Sequence, residues 1–224
     1  HVLDVMLEHG LNVVTIFSPE HGFRGKAPTP KDVLAEIARK DEFLQQLQDF
    51  LTAHKDEKWC VAAVDIEHFK LYNELYGSEQ GNTLLQRLAQ NLLDYTSAAG
   101  VPLGYWGNDD FVTCLPDDKE HQLSVISKLQ TRMNTTRHEV SLFLSFGLCP
   151  ISDQTEADAQ TLCNYAQIAA MDPTPAMGGV HRFAPAMLSR MKEQQQLLTD
   201  LERALKNHEF CFFLQPKCNS MTRA

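Results

Sequence analysis

The spacing of apolar residues changes repeatedly along the chain, and each change predicts an element. Val2, Leu3, Met6 and Leu7 share a helical stripe that His9-Gly10 ends, and Leu11 to Phe17 is a β-rich run. Ser18 to Pro30 reads as loop. Leu34, Ile37, Phe43, Leu44, Leu47 and Leu51 predict one amphipathic helix from Asp32 to Thr52. Trp59 to Val64 is continuously apolar, as expected of a central strand covered on both sides. Helices follow over Phe69–Tyr76 and Gln80–Leu93, set apart by Gly77 and Gly81. Pro102–Trp106 and Phe111–Leu115 flank the polar turn Gly107-Asn108-Asp109-Asp110, a hairpin signal. A helix over Lys119–Met133, a strand over Val140–Cys149 and a helix over Glu156–Met171 come next. A short strand over Val180–Phe183, a long helix over Ala184–Asn207 and an apolar strand over Phe210–Leu214 complete the pattern.

Helices alternating with strands around one hairpin predict an α/β (α+β) domain, with helices packed on the faces of a mixed central sheet. Composition narrows the functions open to it. Apolar residues make up 43% of the 224, enough for a sizeable core. Lys+Arg is 20 and Asp+Glu is 29, a net charge of −9, which disfavours nucleic acid and anionic membranes as partners. A mononucleotide needs only a local pocket and a cation, so it stays open. No apolar run approaches the roughly 20 residues of a membrane-spanning helix. The six cysteines form no CxxC pair and mostly sit in apolar stretches, as expected of a reduced, cytoplasmic protein. The chain starts at His1 and stops in mid-pattern, as a fragment would.

Two acidic turns follow buried strands: Asp65-Ile66-Glu67-His68-Phe69-Lys70 and Gly107-Asn108-Asp109-Asp110-Phe111. Carboxylates at the ends of adjacent strands converge on a hard cation, and Mg²⁺ takes one or two of them together with phosphate oxygens. Backbone N–H groups opening the 69–76 helix suit a phosphate, with Lys70 adding positive charge. A plainer assignment has Asp65 capping that helix and Asn108-Asp109 supplying turn chemistry. Spacing alone favours the plainer one. Tyr105-Trp106, just before the second turn, reads as strand packing.

Taken in order, Asp65 to Lys70, Asn73, Tyr76-Gly77, Gly81-Asn82 and Gly107 to Phe111 resemble the GGDEF family of diguanylate cyclases. Asp32-Val33-Leu34 through Arg39 to Phe43, Ser145-Phe146-Gly147, and Tyr165-Ala166 to Ala169-Ala170 extend the likeness over residues 31–185. The resemblance implies a nucleotidyl-cyclase-like fold and a homodimer that joins two GTP molecules, one per protomer, into cyclic di-GMP. It implies Mg²⁺ or Mn²⁺ bound with GTP by Asp65, Asp109 and the Ile66 backbone, with Asp109 and Asp110 as the signature's catalytic acids. It places the phosphates at Ile66, Phe69, Lys70, Gly107 and Asn108, and the guanine at Asn73 and Asn82.

The chain departs from that pattern at several points. Asn108 stands at the signature's second glycine, Asn82 at a usual aspartate, and Gln167 at the later helix's usual aspartate. Thr174 and Gly178 fall where the family places a lysine and an arginine for the triphosphate. Ala98 and Val101 replace the RxxD feedback pair. Acids are kept while phosphate clamps are lost, which implies a degenerate domain that senses GTP. The competing expectations are an active cyclase, with Arg182 or a partner subunit replacing the clamps, and a scaffold that binds no nucleotide.

Leu201-Glu202-Arg203-Ala204-Leu205, then Phe210 to Leu214 and Gln215-Pro216, resemble the opening of an EAL phosphodiesterase domain. Residues 186–207 are then a connector and 208–224 the start of that domain. Residues 1–30 are a helix-strand-loop piece, foreign or truncated, of which residues 1–27, above all Val13 to Gly25 with Ser18-Pro19-Glu20-His21-Gly22-Phe23, are similar to the start of the exo-β-N-acetylmuramidase family, too short a piece to build its site.

Overall fold

The apolar run after Lys58 forms β1 (Trp59–Ile66), whose central residues are buried on both sides. Its neighbours explain why. In the computed structural model, which describes residues 32–134, 142–153, 157–172 and 179–211, β1 is the middle of a five-stranded sheet. The other strands are β2 (Leu103–Gly107), β3 (Asp110–Pro116), β4 (Leu144–Pro150) and β5 (Gly179–Arg182). They lie in the order β2-β3-β1-β4-β5. β1 pairs antiparallel with both β3 and β4, β2 antiparallel with β3, and β5 parallel with β4.

Six helices complete the described domain: α1 (Lys40–Ala53), α2 (Phe69–Tyr76), α3 (Ser78–Ala99), α4 (Lys119–Met133), α5 (Ala159–Ala170) and α6 (Pro185–Lys206). They divide between the two faces. Cys60, Ala62, Val64 and Ile66 pack with Leu84, Leu88 and Leu92 of α3 and with Val125 and Leu129 of α4. Val61 and Ala63 pack with Phe43 and Leu47 of α1 and with Leu162, Cys163 and Ala166 of α5. This is the period-two alternation of a strand buried on both sides. The mixed sheet with helices on both faces is as expected from the sequence.

Two close approaches depend on glycine. A Cβ on Gly147 would lie 1.9 Å from the Ala166 carbonyl oxygen and 2.2 Å from the Ala170 nitrogen. α5 therefore packs directly against the backbone of β4, and the Ser145 hydroxyl donates to the Ala170 carbonyl at 2.8 Å. These two residues are the outer letters of the Ser145-Phe146-Gly147 motif. On β2, a Cβ on Gly104 would meet the Phe43 ring at 2.6 Å.

Several boundaries differ from the sequence pattern. Asp32–Thr52 is not one helix: Val33–Glu36 is a 3₁₀ turn, Ala38 bridges to Gly104 of β2, and α1 begins only at Lys40. Gln86 of α3 ties down the turn, accepting from the Val33 N–H at 2.9 Å and donating to Asp32 at 2.5 Å. α3 runs to Ala99, closed by Gly100 at φ 69°, rather than stopping at Leu93. β4 begins at Leu144, because the Gln130 and Asn134 side chains take the backbone N–H groups of Leu144 and Leu142. α5 begins at Ala159, where Asp158 caps it by accepting from the Thr161 N–H at 2.7 Å. The elements expected within residues 1–31, the candidate clamp positions Thr174 and Gly178, and residues 212–224 with most of the last expected strand lie outside the described residues.

The long helix expected over Ala184–Asn207 forms as α6, and none of its residues is buried. Cys60, Cys114, Cys149 and Cys163 are free and buried, and burial pushes the Cys60 thiol up to about 12. No described helix is long and apolar enough to cross a membrane.

Candidate functional site

β1 and β3 run antiparallel with Val64 opposite Phe111, so the end of β1 meets the tip of the β2–β3 hairpin. That register brings the two acidic turns together. Asp65 is half-buried at the end of β1, where it also pairs with Ser145 of β4. Asp109 projects from the hairpin tip, and its Oδ2 accepts from the Ile66 N–H at 3.3 Å. Asp110 opens β3, opposite Gly107.

These three carboxyls all sit above the ordinary carboxylate range. Asp65 is pushed up to about 7, first by burial and then by Asp109, Asp110 and Glu67, all of its own sign. Burial raises Asp109, although a hydrogen bond from Asp65 and the Ile66 N–H partly offset this. Burial and the charge of Asp109 raise Asp110. Two half-buried carboxyls in contact do not both ionise readily, so the pair holds a proton to a higher pH than either acid alone would.

Such a pair suits a divalent cation. Among the described residues no set of three or more His, Cys, Asp or Glu side chains is gathered for a metal. Mg²⁺ asks for less, because one or two carboxylates suffice when phosphate oxygens and water complete its shell. Asp65, Asp109 and the Ile66 backbone are disposed to provide that partial set, and acids already crowded by like charge gain most from a cation.

The hairpin tip tolerates its departure from glycine. Asn108 has φ 50° and is exposed, and asparagine is among the residues that accept this left-handed geometry. Gly107, at φ 104°, lies where a side chain would be strained.

Asp65 does not cap α2. The cap position belongs to His68, left-handed at φ 58° and making no side-chain capping bond. Phe69 packs against the core and Lys70 is exposed. The Asn73 side-chain oxygen is buried without a hydrogen-bond partner and faces Gly81, where an added Cβ would sit 1.7 Å from it. Gly81 thus makes room for Asn73, and Asn82, exposed, is the next residue of α3. The structure therefore brings Asp65, Ile66, Asp109 and Asp110 together and sets Asn73 beside the start of α3.

Arg182 does not reach this cluster. It pairs with Asp117 through two hydrogen bonds of 2.7 and 3.0 Å and lies 3.7 Å from Asp153. Asp117 follows the end of β3 at which Pro116 pairs with Trp59, the opposite end of β1 from Asp65. The expectation that Arg182 replaces a lost phosphate clamp is corrected by that placement.

The strand packing expected of Tyr105 and Trp106 is present, with an addition. Trp106 packs edge-on against Phe43, and Tyr105 against Phe111. Tyr105 also bonds the turn itself, its hydroxyl donating to the Asn108 carbonyl at 3.0 Å. The available signal was that a buried tyrosine hydroxyl needs a partner.

Known proteins resemble this chain in sequence and in fold. The family described as "Diguanylate cyclase, GGDEF domain" matches residues 30–175. The bifunctional diguanylate cyclase/cyclic di-GMP phosphodiesterase MucR of Pseudomonas aeruginosa is 28% identical over 72% of this chain and 24% of its own. The cyclic di-GMP phosphodiesterase PdeR of Escherichia coli is 28% identical over 78% of this chain and 27% of its own. The chain thus spans about a quarter of the length of these curated relatives. Among solved structures, the GGDEF domain of TpbB (YfiN) from Pseudomonas aeruginosa aligns over 71% of this chain and 97% of its own, with TM-score 0.60 at 20% identity. The coiled coil and GGDEF domain of DgcB from Caulobacter crescentus, solved with c-di-GMP, aligns over 67% and 84%, with TM-score 0.56 at 16% identity. At these identities the structural likeness speaks to fold. The family match covers well over half of the residues, and the chain belongs to the GGDEF domain family of cyclic di-GMP signalling proteins.

Proposed function

We propose that this domain is a degenerate GGDEF module that binds GTP with Mg²⁺ or Mn²⁺ and regulates an attached EAL phosphodiesterase. The observation that carries the proposal is the convergence of Asp65 and Asp109 at one end of β1, both raised by burial and in contact. Asp65, Asp109 and the Ile66 backbone are assigned to the metal. When bound, the metal neutralises triphosphate charge and lowers the cost of ionising the pair. Asn73 and Asn82 are assigned to the guanine edge. Asn82 brings an amide where the family has a carboxylate, so its contact lacks charge assistance.

Regulation rather than turnover is the reading that the clamps support. Thr174 and Gly178 bring no cation to a polyanion, and Arg182 is engaged with Asp117. Asp110 remains in the signature's second acidic position, and this retention favours active cyclisation as the second reading. The link to an EAL domain rests on the Leu201-to-Pro216 resemblance and on relatives named for phosphodiesterase activity. A regulatory effect requires GTP to bind two domain arrangements unequally.

Calorimetric titration of GTP with Mg²⁺ into the chain, repeated with Asp65→Ala, tests the proposal. Binding in the wild type and its loss by about 100-fold or more in the variant are expected, since even groups that only orient a metal ligand are worth about 10- to 100-fold. Absence of binding at millimolar GTP sinks the sensor and the cyclase together and leaves a scaffold. Product chromatography after incubation with GTP then separates sensor from cyclase.

A further inference from the structure

The acidic turn is tight and irregular, closed at its base by the Gly107–Asp110 pair. Gly107 and Asn108 are consecutive positive-φ residues, and Asn108 is exposed. The β2–β3 ladder is also irregular there. Tyr105 pairs with Phe111 and Gly107 with Asp110, so Trp106 is a bulge residue without an opposite number. A bulge disrupts the local ladder and re-aims the residues beyond it. The turn that aims Asp109 at Ile66 therefore lies beyond a break in the ladder, so its direction is not set by regular pairing with the rest of the hairpin.

Tyr105 supplies a tie that crosses the bulge. It is 7% exposed and held on several sides. Its backbone N–H donates to the Ala38 carbonyl at 3.0 Å, outside the hairpin. Its ring lies 4.8 Å from the Phe111 ring, and the Arg39 guanidinium sits 5.3 Å from the ring centre. From that fixed position the hydroxyl donates to the Asn108 carbonyl at 3.0 Å. This carbonyl belongs to the peptide unit that leads into Asp109, so holding it restricts the rotation that would swing the carboxylate away from Asp65.

We propose that Tyr105 is a positioning residue of the nucleotide site: its hydroxyl fixes the Asn108–Asp109 peptide and so the direction of the Asp109 carboxylate. The inference rests on the assignment of Asp109 to the metal. The role belongs to the hydroxyl, because the ring alone would serve the packing.

Tyr105→Phe, made in the full chain, keeps the ring and removes the bond. Two measurements decide. Amide ¹⁵N relaxation of Asn108, Asp109 and Asp110 needs no ligand, and the variant is expected to show greater mobility there with Val112 and Thr113 unchanged. Affinity for GTP with Mn²⁺ is expected to fall about 2- to 10-fold, the worth of one hydrogen bond. Unchanged relaxation at the turn overturns the proposal, as does mobility spread evenly over β2 and β3, which marks packing alone. Unchanged affinity overturns it as well. A wild type that binds no nucleotide overturns the nucleotide assignment instead, and the relaxation measurement still decides whether Tyr105 holds the turn.

Discussion

The two ends of the central sheet each carry buried or half-buried aspartates, and they treat them in opposite ways. At one end Arg182 grips Asp117 with two hydrogen bonds and holds its carboxyl below the ordinary range. At the other end, roughly 20 Å away along β1, Asp65 and Asp109 crowd each other and both rise. An acid with its own guanidinium has its charge answered within the fold, so its role is architectural. Acids set against one another store an unfavourable interaction that an incoming cation relieves. The position of the cations, more than the number of acids, separates the structural end from the candidate functional one.

β4 runs past both ends, with Ser145 opposite Asp65 and Leu148 opposite Arg182, so the largest effect comes from breaking its contact with α5. Gly147 lies at the point where α5 touches β4, and the backbone atoms of Ala166 and Ala170 leave no space for a Cβ. Gly147→Ala forces α5 off the sheet and is expected to cost several kcal/mol, in the range of severe overpacking. Urea denaturation followed by circular dichroism measures it. Stability within about 0.5 kcal/mol of wild type, the scatter of an ordinary surface change, would show that α5 shifts freely and that the ends are not held by one rigid joint.

A smaller effect tests the unanswered pair. Asp65 has its pKa raised to about 7 in the folded state, so the folded protein holds a proton that the unfolded chain releases near pH 4. The contribution to stability is therefore complete below about pH 4 and is lost as pH rises through about 7. Without divalent metal, the wild-type melting temperature is expected to fall between about pH 5 and pH 8. Asp65→Asn cannot ionise and should fall less, melting a few degrees above wild type at pH 8. Adding Mg²⁺ at pH 8 should raise the wild type and leave the variant in place. Parallel pH profiles for the two proteins would remove the crowding on which the contrast depends.

What is legible in the sequence divides between local and long-range causes in the same way. β1 is legible because burial on both faces writes a continuous apolar run. The false single helix over Asp32–Thr52 arises because Ile37 falls on the helical stripe, whereas Ala38 is buried by a bridge to Gly104, a partner that periodicity cannot reveal. The late start of β4 depends on the Gln130 and Asn134 side chains, which lie in the preceding helix and its cap. At the site, spacing marks two acidic turns but cannot choose between capping and convergence. The family resemblance brings Asp65 and Asp109 together, and the β1–β3 register supplies the reason. Tyr105 reads as packing because alternation shows which way a side chain faces and not what its hydroxyl reaches.

The smallest expected effect lies at the end already answered. Arg182 is 48% exposed and its partner Asp117 13% exposed, so solvent screens much of the pair. Arg182→Ala is expected to cost about 1 kcal/mol or less at pH 7, the scale of a partly exposed ion pair. Arg182→Lys keeps the charge but loses the two-pronged grip, so it should recover only part of that loss. The sign with pH is opposite to that at Asp65. Asp117 is lowered in the folded state, so the stabilisation is present above about pH 4 and is lost as pH falls through the folded value. Denaturation of wild type and variant should converge as the solution is made strongly acid. Nucleotide affinity should not move, because Arg182 is committed to the opposite end of β1 from Asp65. An Arg182→Ala chain that lost affinity for GTP with Mg²⁺ while keeping its stability would put this cation to work at the proposed nucleotide end, and the contrast between the two ends would fail.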